Sequence, residues 1–220
     1  ACRKRDAGVM CPSFRATGNE KDLTRGRANS LRLALSGQLG PNALTSDDMY
    51  DTMALCVGCK GCKRECPTGV DMARMKTEFL YHYRQRNGMR LFDKLVAFLP
   101  RYAESASALG WLLNLRNWVP CLPALGQMIT GFAASQPLPA WASRPFRDDE
   151  GGAATTGPEV VLWADTFNRW FEPENVRAAR RVLEAGGFTV HIATPADGGR
   201  SLCCGRTFLA AGLVDEAKVE

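Results

Sequence analysis

The chain has 220 residues, 45% of them hydrophobic and 23% charged, which is typical of a globular protein long enough for two domains. Its net charge of +5 arises from 28 basic and 23 acidic residues without a run of five like charges, which argues against nucleic-acid binding. The start of the chain shows no secretory pattern. We therefore expect a cytoplasmic protein whose nine cysteines bind metal rather than form disulfides.

Residues 1–87 form a cysteine-rich region that the sequence predicts to be mostly helical. Amphipathic spacing indicates a helix over residues 19–36. A short helix is predicted over residues 46–55, because a serine at its start can cap it, and a further helix over residues 68–85. We expect the cysteines to lie at the ends of these helices and in the turns between them.

Four cysteines in this region follow the spacing of bacterial ferredoxins. The run CVGCKGCKRECP places them at Cys56, Cys59, Cys62 and Cys66. Their spacing fits C-x2-C-x2-C-x3-C-P, a pattern that holds 4Fe-4S clusters. Gly58 and Gly61 should allow a tight turn whose N–H groups point at the cluster sulfides. Lys60, Lys63 and Arg64 lie nearby and would favour the added electron.

The last cysteine of the run, Cys66, is expected to bind a different cluster from the first three, because the proline after it turns the chain away. The first cluster then needs a ligand from elsewhere, and Cys11 also stands directly before a proline. We predict that Cys11 completes the first cluster. Cys66 would join Cys2 and cysteines from before residue 1 in a second cluster, which this sequence leaves incomplete.

The cysteine spacing is also compatible with two other kinds of site. Cysteine pairs two residues apart also suit tetrahedral zinc, although three cysteines at successive spacings followed by Cys-Pro are atypical of zinc modules. A thiol-disulfide site would need a thioredoxin-like βαβ context, which the helices around Cys56 do not provide. A zinc-stabilised interaction module therefore stays open as an alternative.

Residues 88–152 are predicted to be a helical connector that ends in a linker. Apolar helical segments cover residues 91–99 and 106–115, and residues 137–152 are rich in Pro, Ala and charges. The longest uncharged stretch, residues 117–143, is cut by prolines into pieces too short to span a bilayer as one helix. We therefore expect no transmembrane segment.

Several conspicuous side chains outside the motif are expected to have structural roles. The side chains expected to pack in the core or at an interface are those of Trp111, Trp118, Trp141 and Cys121. Arg25 and Arg27 are expected to fix helix packing or a contact with a flavin domain rather than bind substrate. Neither His82 nor His191 is assigned to catalysis, and we find no serine nucleophile, phosphate-binding loop or paired carboxylates.

From residue 153 to the end the pattern changes to alternating strands and helices. A β-branched run over residues 159–164 predicts a strand, helical spacing over residues 173–185 a helix, and residues 188–193 a second strand. Strands joined in this way are parallel, and a helix over residues 205–218 would follow them. Residues 153–220 are therefore predicted to begin an α/β domain.

Three segments of the sequence resemble a known family. MCPSFRATGNE, TRGRA and CVGCKGCKRECPTGVDM are similar to the iron-sulfur region of bacterial FAD-linked oxidases of the D-2-hydroxyglutarate and D-lactate dehydrogenase type. Glycolate oxidase iron-sulfur subunits are similar but more distant. The resemblance extends over essentially the whole chain.

A further likeness lies near the end of the chain, where Cys203, Cys204 and Gly205 resemble the CCG module of heterodisulfide reductase-like proteins. That module usually has another cysteine upstream, and this sequence has Asp165 there. Carboxylate is a harder ligand than thiolate, so a redox or metal role of these residues stays open beside a purely structural turn. The expected fold is an α-helical ferredoxin-like cluster domain followed by the start of a parallel βαβ CCG domain.

The resemblance implies an enzyme in which FAD, on a preceding domain or partner subunit, oxidises a 2-hydroxy acid. Electrons would pass through one or two 4Fe-4S clusters to a quinone, a cytochrome or an electron carrier. The chain shows no flavin or substrate machinery, so we expect a fragment of a longer protein that is inactive alone. A CCG-type disulfide or quinone reductase subunit is the alternative. The expected location is cytoplasmic, with peripheral contact at the inner face of the membrane left open.

Overall fold

The structure is a computed structural model that describes residues 8–9, 11–150 and 156–220. These residues are mostly helical and include a two-stranded parallel sheet. Every helix among them is too short or too polar to cross a bilayer.

The chain divides into two compact units. The first consists of residues 1–89 and 208–218, and the second of residues 90–207 and 219–220. The domain boundaries expected from the sequence stay a prediction, and the two units are described separately below.

The first unit is built from short helices. Its helices before residue 90 are α1 (Pro12–Thr17), α2 (Thr24–Leu35), α3 (Asp47–Ala54), α4 (Gly61–Glu65) and α5 (Met72–Asn87). Ser46 caps α3 as expected, because its side chain accepts a hydrogen bond from the Met49 N–H. The helix α2 begins later than predicted, because Leu23 is extended and separates it from a 3₁₀ turn. Likewise α5 begins at Met72, since Asp71 rather than Thr68 caps it.

The interior of the first unit is apolar and includes two of the cysteines. One hydrophobic cluster in it consists of Cys11, Phe14, Leu23, Leu31, Ala34, Met49, Met53, Cys62, Met72, Phe79, Leu80 and Tyr83. Because Cys11 and Cys62 belong to this core, the packing of α2, α3 and α5 also fixes the surroundings of their sulfurs.

The second unit contains the remaining helices of the connector and the sheet. Its elements are α6 (Leu91–Ala97), α7 (Leu99–Ala108), α8 (Gly110–Asn114), α9 (Leu122–Thr130), β1 (Glu159–Leu162), α10 (Thr166–Trp170), α11 (Pro173–Ala185) and β2 (Thr189–Ile192). The strands pair in parallel, with Val160 opposite Val190, so the predicted βαβ unit is confirmed. Its core contains Phe146, Ala164 and Val176. Membership of a CCG domain stays a prediction.

Two expectations of core burial in the second unit are wrong, while the interface role expected of the tryptophans stays a prediction. Trp111 and Trp118 are 70% and 81% exposed in the structure, so neither packs in a core. Cys121, expected to be a small buried hydrophobe, is also exposed. Trp141 is half-buried and packs against Phe171, with ring centroids 4.5 Å apart. Hydrophobicity alone does not decide burial, because a side chain is buried only where neighbouring segments cover it.

The predicted helix over residues 205–218 is two helices, α12 (Arg206–Ala210) and α13 (Val214–Val219). The break falls at Gly212, whose φ of +76° is not helical. A Cβ atom at this position would lie 2.6 Å from the Cβ of Leu80 in α5. Glycine therefore permits both the turn and the close approach of the chain to α5.

Candidate metal centre

Cys11 lies immediately before α1 in a left-handed backbone conformation, with φ of 51°. Its buried Sγ accepts a hydrogen bond of 3.1 Å from the Thr24 N–H and lies 3.0 Å from the Thr24 hydroxyl. Thr24 is the first residue of α2. The sulfur therefore faces the N-terminal end of α2.

The turn between Cys56 and Cys62 depends on two residues with positive φ, Gly58 at 64° and Lys60 at 57°. Among the described residues other than glycine, only Lys60 and Cys11 have positive φ, a conformation that costs on the order of 1–3 kcal/mol. Both residues line the same cavity. Strain of this kind persists where the surrounding structure enforces it and is often found at functional sites.

The remaining cysteines of this turn differ in exposure. Cys62 is buried within α4, and its Sγ accepts a long hydrogen bond of 3.4 Å from the N–H of Met72, the first residue of α5. Cys59 is exposed and Cys56 is half-buried. The Cys56 carbonyl accepts a hydrogen bond of 2.6 Å from Lys76 Nζ. Sequence analysis did not identify Lys76, which holds the start of the turn against α5.

One cavity gathers cysteines from two separate parts of the chain. The cysteines that line it are Cys11, Cys56, Cys59 and Cys62. Counted with the part that opens to solvent, the cavity holds about 320 Å³. Thr24 and Met72, whose N–H groups face two of the sulfurs, lie in its wall. The structure thus brings the first three cysteines of the run together with the one predicted from the early Cys-Pro pair.

Gly61 allows the two cysteine-bearing segments to approach each other. A Cβ atom at this position would lie 2.8 Å from the Val9 carbonyl oxygen, closer than a real side chain tolerates. Gly58 shapes the turn through its positive φ, as expected. Gly61 has a different role from the predicted one, because it makes room for the backbone that precedes Cys11.

The sulfur donors around the cavity have the chemistry of iron-sulfur ligands. Within the described ranges, no three His, Cys, Asp or Glu side chains are close enough together to hold one ion. Thiolates around tetrahedral zinc would lie about 3.8 Å apart, given Zn–S bonds of about 2.3 Å. A cubane spreads its thiolates more widely, since each binds a different iron. Four soft donors around one cavity therefore fit a 4Fe-4S cluster.

Cys66 does not line this cavity. Its Sγ lies 3.1 Å from the Thr68 hydroxyl. This hydrogen bond, with those from the backbone of Val70, Thr68 and Gly69, lowers the pKa of the Cys66 thiol. Its predicted companion, Cys2, lies outside the described residues. A second cluster on Cys66 and Cys2 therefore stays a prediction.

Two of the cations near the turn pair with a carboxylate. The Nζ atoms of Lys60 and Lys63 lie 3.7 and 3.6 Å from Asp71 Oδ2. Burial raises the pKa of Asp71, but the hydrogen bond from the Arg74 N–H and the two ammonium groups outweigh it, so the pKa lies below its usual value. Because Asp71 partly neutralises these lysines, they should favour a reduced cluster less than the sequence alone implies.

Arg27 also lines the cavity, a position that the sequence analysis did not assign to it. It is buried, whereas Arg25 is exposed and pairs with Glu20 at 2.8 Å. The expectation of a packing role is thus confirmed for Arg27. Helical spacing could have shown this, because Arg27 lies four residues from both Leu23 and Leu31, on the buried face of α2.

The two cysteines of the CCG sequence point to different environments. Cys203 is buried and Cys204 is exposed. The Cys203 Sγ accepts a hydrogen bond of 3.4 Å from the Gly205 N–H. Burial raises the pKa of the Cys203 thiol, although hydrogen bonds from Gly205 and from the Thr166 side chain oppose the shift. Cys203 is therefore held mainly as a neutral thiol at neutral pH.

Asp165 serves as the cap of α10. Its Oδ1 accepts hydrogen bonds from the N–H groups of Phe167 at 2.9 Å and Asn168 at 3.2 Å. The neighbouring Thr166, rather than Asp165, supplies the side chain that contacts Cys203. A redox or metal role for Asp165, Cys203 and Cys204 stays a prediction.

Comparison with known proteins agrees with the chemistry of the cavity. Residues 1–70 match the family of 4Fe-4S dicluster domains. A D-2-hydroxyglutarate dehydrogenase of Pseudomonas putida is 28% identical over 92% of this chain and 24% of its own length. An enzyme of the same name from Pantoea ananatis is 26% identical over 81% of this chain and 22% of its own. A third, from Escherichia coli, is 26% identical over 43% of this chain and 13% of its own.

The chain spans about a quarter or less of the length of these curated relatives. No solved structure matches it. Residues 1–70 are therefore similar to 4Fe-4S dicluster domains, and most of the chain is similar to a part of D-2-hydroxyglutarate dehydrogenases, in agreement with the resemblance to the iron-sulfur region of FAD-linked oxidases.

Proposed function

We propose that the chain is the iron-sulfur electron-transfer module of a flavin-dependent 2-hydroxy-acid dehydrogenase. The observation that carries the proposal is the convergence of Cys11 with three cysteines of the ferredoxin run on one cavity. The match of residues 1–70 to 4Fe-4S dicluster domains and the similarity to D-2-hydroxyglutarate dehydrogenases support it.

The proposed ligands divide the cysteines between two clusters. One 4Fe-4S cluster is bound by Cys11, Cys56, Cys59 and Cys62. Cys66 and Cys2, with cysteines from a preceding segment, bind a second cluster. The shared cavity supports the first set, and the position of Cys66 outside that cavity supports the separation.

The residues around the first cluster would hold it and adjust its charge. When bound, a 4Fe-4S cluster accepts and releases one electron at a time. The N–H groups of Thr24 and Met72 point at cluster-binding sulfurs, where they favour the more negative state. The apolar core behind Cys11 and Cys62 excludes water from one side, while exposed Cys59 marks the side nearest to an electron partner.

The flavin and the substrate site would lie on another domain or subunit. The relatives are named for D-2-hydroxyglutarate, so we infer that the intact protein oxidises this or a related 2-hydroxy acid. FAD would take the electron pair and pass single electrons through the clusters to a quinone, a cytochrome or a soluble carrier. We further infer a cytoplasmic location, at the inner face of the membrane if the acceptor is a quinone.

Neither alternative function is favoured by a particular contact. A zinc module would use cysteine pairs of the same spacing, but the match of residues 1–70 to 4Fe-4S dicluster domains favours a cluster. A disulfide reductase of the CCG type requires redox-active donors around Cys203. In this chain Asp165 is engaged as a helix cap and Cys203 is a buried thiol with a raised pKa.

Anaerobic reconstitution of the 220-residue chain with iron and sulfide tests the ligand set. We expect about four irons per chain, since one cubane can close and the second site lacks ligands. Cys11→Ala should lose the cluster or convert it to a three-iron form, detected by iron analysis and low-temperature EPR. Cys66→Ala should retain it. Cys121→Ala serves as the matched control, because Cys121 is exposed and does not line the cavity.

An unchanged four-iron EPR signal in Cys11→Ala would refute the proposed first ligand set. Loss of iron in Cys66→Ala, with Cys11 dispensable, would instead indicate that the four cysteines of the run bind one metal site together. A colourless protein that takes up one zinc would favour the interaction module. The flavin assignment is tested separately, by flavin analysis of the intact gene product.

A further inference from the structure

A permanently charged side chain lies inside the cluster-binding unit. Arg27 is 1% exposed and forms part of the cavity wall beside the four cysteines. Burying a guanidinium group is unfavourable unless hydrogen bonds and an opposite charge compensate for the lost water. The partners of Arg27 therefore show which task this residue performs.

The guanidinium group joins the segments on either side of the cavity. Its Nη2 donates to Ser13 Oγ at 3.1 Å, just after Cys11 in sequence. Its Nη1 donates to the Asp22 carbonyl at 2.6 Å, at the turn that leads into α2. Its Nε donates to the Thr52 carbonyl at 3.0 Å, in the helix that leads to the cysteine run. One planar group thus holds the early cysteine segment against the segment that delivers the run.

The charge of Arg27 is compensated from one side. Asp22 is also 1% exposed, and its Oδ1 lies 3.6 Å from Arg27 Nη2. Its Oδ2 accepts a hydrogen bond of 2.7 Å from Thr17, while Oδ1 has no hydrogen-bond partner among the residues that the structure describes. Arg27 lines the cavity and Asp22 does not. The cationic member of this buried pair therefore belongs to the cavity wall, and its carboxylate partner does not.

On the basis of the proposed ligand set, we propose that Arg27 is a positioning residue for the first cluster. Its hydrogen bonds hold the segment of Cys11 against the segment that precedes Cys56. Its positive charge, partly compensated by Asp22, raises the reduction potential of the cluster. Reduction adds one electron to the cluster, and the added negative charge is stabilised by a nearby buried cation. The electron is supplied by dithionite in the experiment below.

Opposite charge changes within the pair should shift the potential in opposite directions. Asp22→Asn keeps the shape of the side chain but leaves Arg27 uncompensated, so the cluster should be easier to reduce. Arg27→Met removes the cation, so it should be harder to reduce. Each change should alter the equilibrium constant for reduction on the order of tenfold, or about 59 mV for one electron. The measurement is a dithionite titration of the reconstituted chain followed by EPR.

Two further variants separate the charge from the clamp. Arg27→Lys keeps the charge, so it should shift the reduction potential less than Arg27→Met does. It loses the planar guanidinium group, so it should release iron to a chelator faster than the wild-type chain does. Arg25→Met is the matched control, because Arg25 is an exposed arginine of the same helix. It should change neither the potential nor the rate of iron release. If Arg27→Met fails to fold, Asp22→Asn and Arg27→Lys still carry the test.

Shifts in the same direction for Asp22→Asn and Arg27→Met would refute the electrostatic role, because a purely structural role predicts no opposition of sign. Wild-type potential and iron release in Asp22→Asn and Arg27→Lys would refute the inference altogether. If both variants behave like the wild type while Cys11→Ala still loses its cluster, the proposed ligand set is supported and only the role of Arg27 is refuted. If the wild-type chain forms no four-iron cluster, both proposals fall.

Discussion

The cluster cavity and the turn at Cys203 both contain cysteines beside short helices, but they differ in how many donors they assemble. In the cavity, thiols from two parts of the chain face one space, and the N–H groups of Thr24 and Met72 point at two of the sulfurs. At the turn, Cys203 is buried and Cys204 is exposed. Two cysteines adjacent in sequence thus lie in different environments, whereas the cavity draws its cysteines from separate segments. Distant segments must pack against each other to supply converging ligands.

The largest expected effect comes from preventing that convergence without removing a thiol. Gly61→Ala would place a Cβ 2.8 Å from the Val9 carbonyl, so the segment before Cys11 must move away from the run. We expect reconstituted iron to fall to less than half of the wild-type value. The overpacking should also lower the free energy of unfolding by about 1–3 kcal/mol. Iron analysis and urea denaturation measure the two effects.

Gly186→Ala provides a matched glycine control in the other region. Its φ is −76°, and the nearest atom to an added Cβ is a carbonyl oxygen at 3.3 Å, so the substitution fits with a small adjustment. Iron content should stay at the wild-type level. Full iron loading in Gly61→Ala would contradict the view that the approach of Val9 to the run is needed for the site.

The next effect concerns the reactivity of the two adjacent thiols. Alkylation requires thiolate, and burial raises the pKa of Cys203, so Cys204 should react more than tenfold faster at pH 8. The folded chain holds the Cys203 proton more tightly than the unfolded chain. The contribution of the Cys203 thiol to the free energy of unfolding is therefore complete below the ordinary thiol pKa. This contribution is lost as the pH rises through the raised pKa of the folded state. Mass spectrometry of iodoacetamide-treated protein measures both rates.

Thr166→Val sharpens this test. The Thr166 hydrogen bond lowers the pKa of Cys203, so its removal should slow the labelling of Cys203 further and leave that of Cys204 unchanged. Equal labelling of the two cysteines in the wild-type chain would mean that the turn is open enough for both to act as redox or metal donors.

A smaller effect is expected at Asp165, where capping and ligation predict different results. Asp165→Ala should lower the free energy of unfolding by about 1 kcal/mol, because the N–H groups of Phe167 and Asn168 lose their acceptor. Asp165→Asn should cost only a few tenths, since asparagine is also a good cap. Denaturation curves measure both values. A change in bound iron in either variant would indicate that Asp165 contributes to a metal site.

The smallest effect should come from a single hydroxyl beside the cluster. Thr24→Val removes the group that lies 3.0 Å from Cys11 Sγ and keeps the N–H. The reduction potential should fall by roughly 20 mV, the equivalent of about 0.5 kcal/mol for one electron. Thr68→Val is the control, because its hydroxyl contacts Cys66, outside the cavity. Equal shifts in the two variants would contradict the separation of Cys66 from the first cluster.

Much of the local structure could be predicted from the sequence, because caps and periodicity are local. Ser46 capped the helix that it was expected to cap, and the parallel pairing of β1 with β2 followed from the βαβ pattern. The prediction was less accurate at the start of α5, which begins at Met72 instead of residue 68 because Asp71 caps it. The exposure of Trp118 could not be predicted from hydrophobicity, since burial depends on whether neighbouring segments cover the side chain.

The cysteine run by itself determined the metal chemistry that this chain can support, because soft thiolates at ferredoxin spacing are suited to iron-sulfur clusters. It also supplied the prediction that Cys11 joins the first three cysteines of the run. Only the tertiary structure decided how that meeting occurs, through the missing side chain of Gly61 and the buried guanidinium of Arg27. The spacing of cysteines along the chain can identify only those ligands that lie in the same turn. The approach of distant segments depends on packing and buried charge, which appear only when the chain is folded.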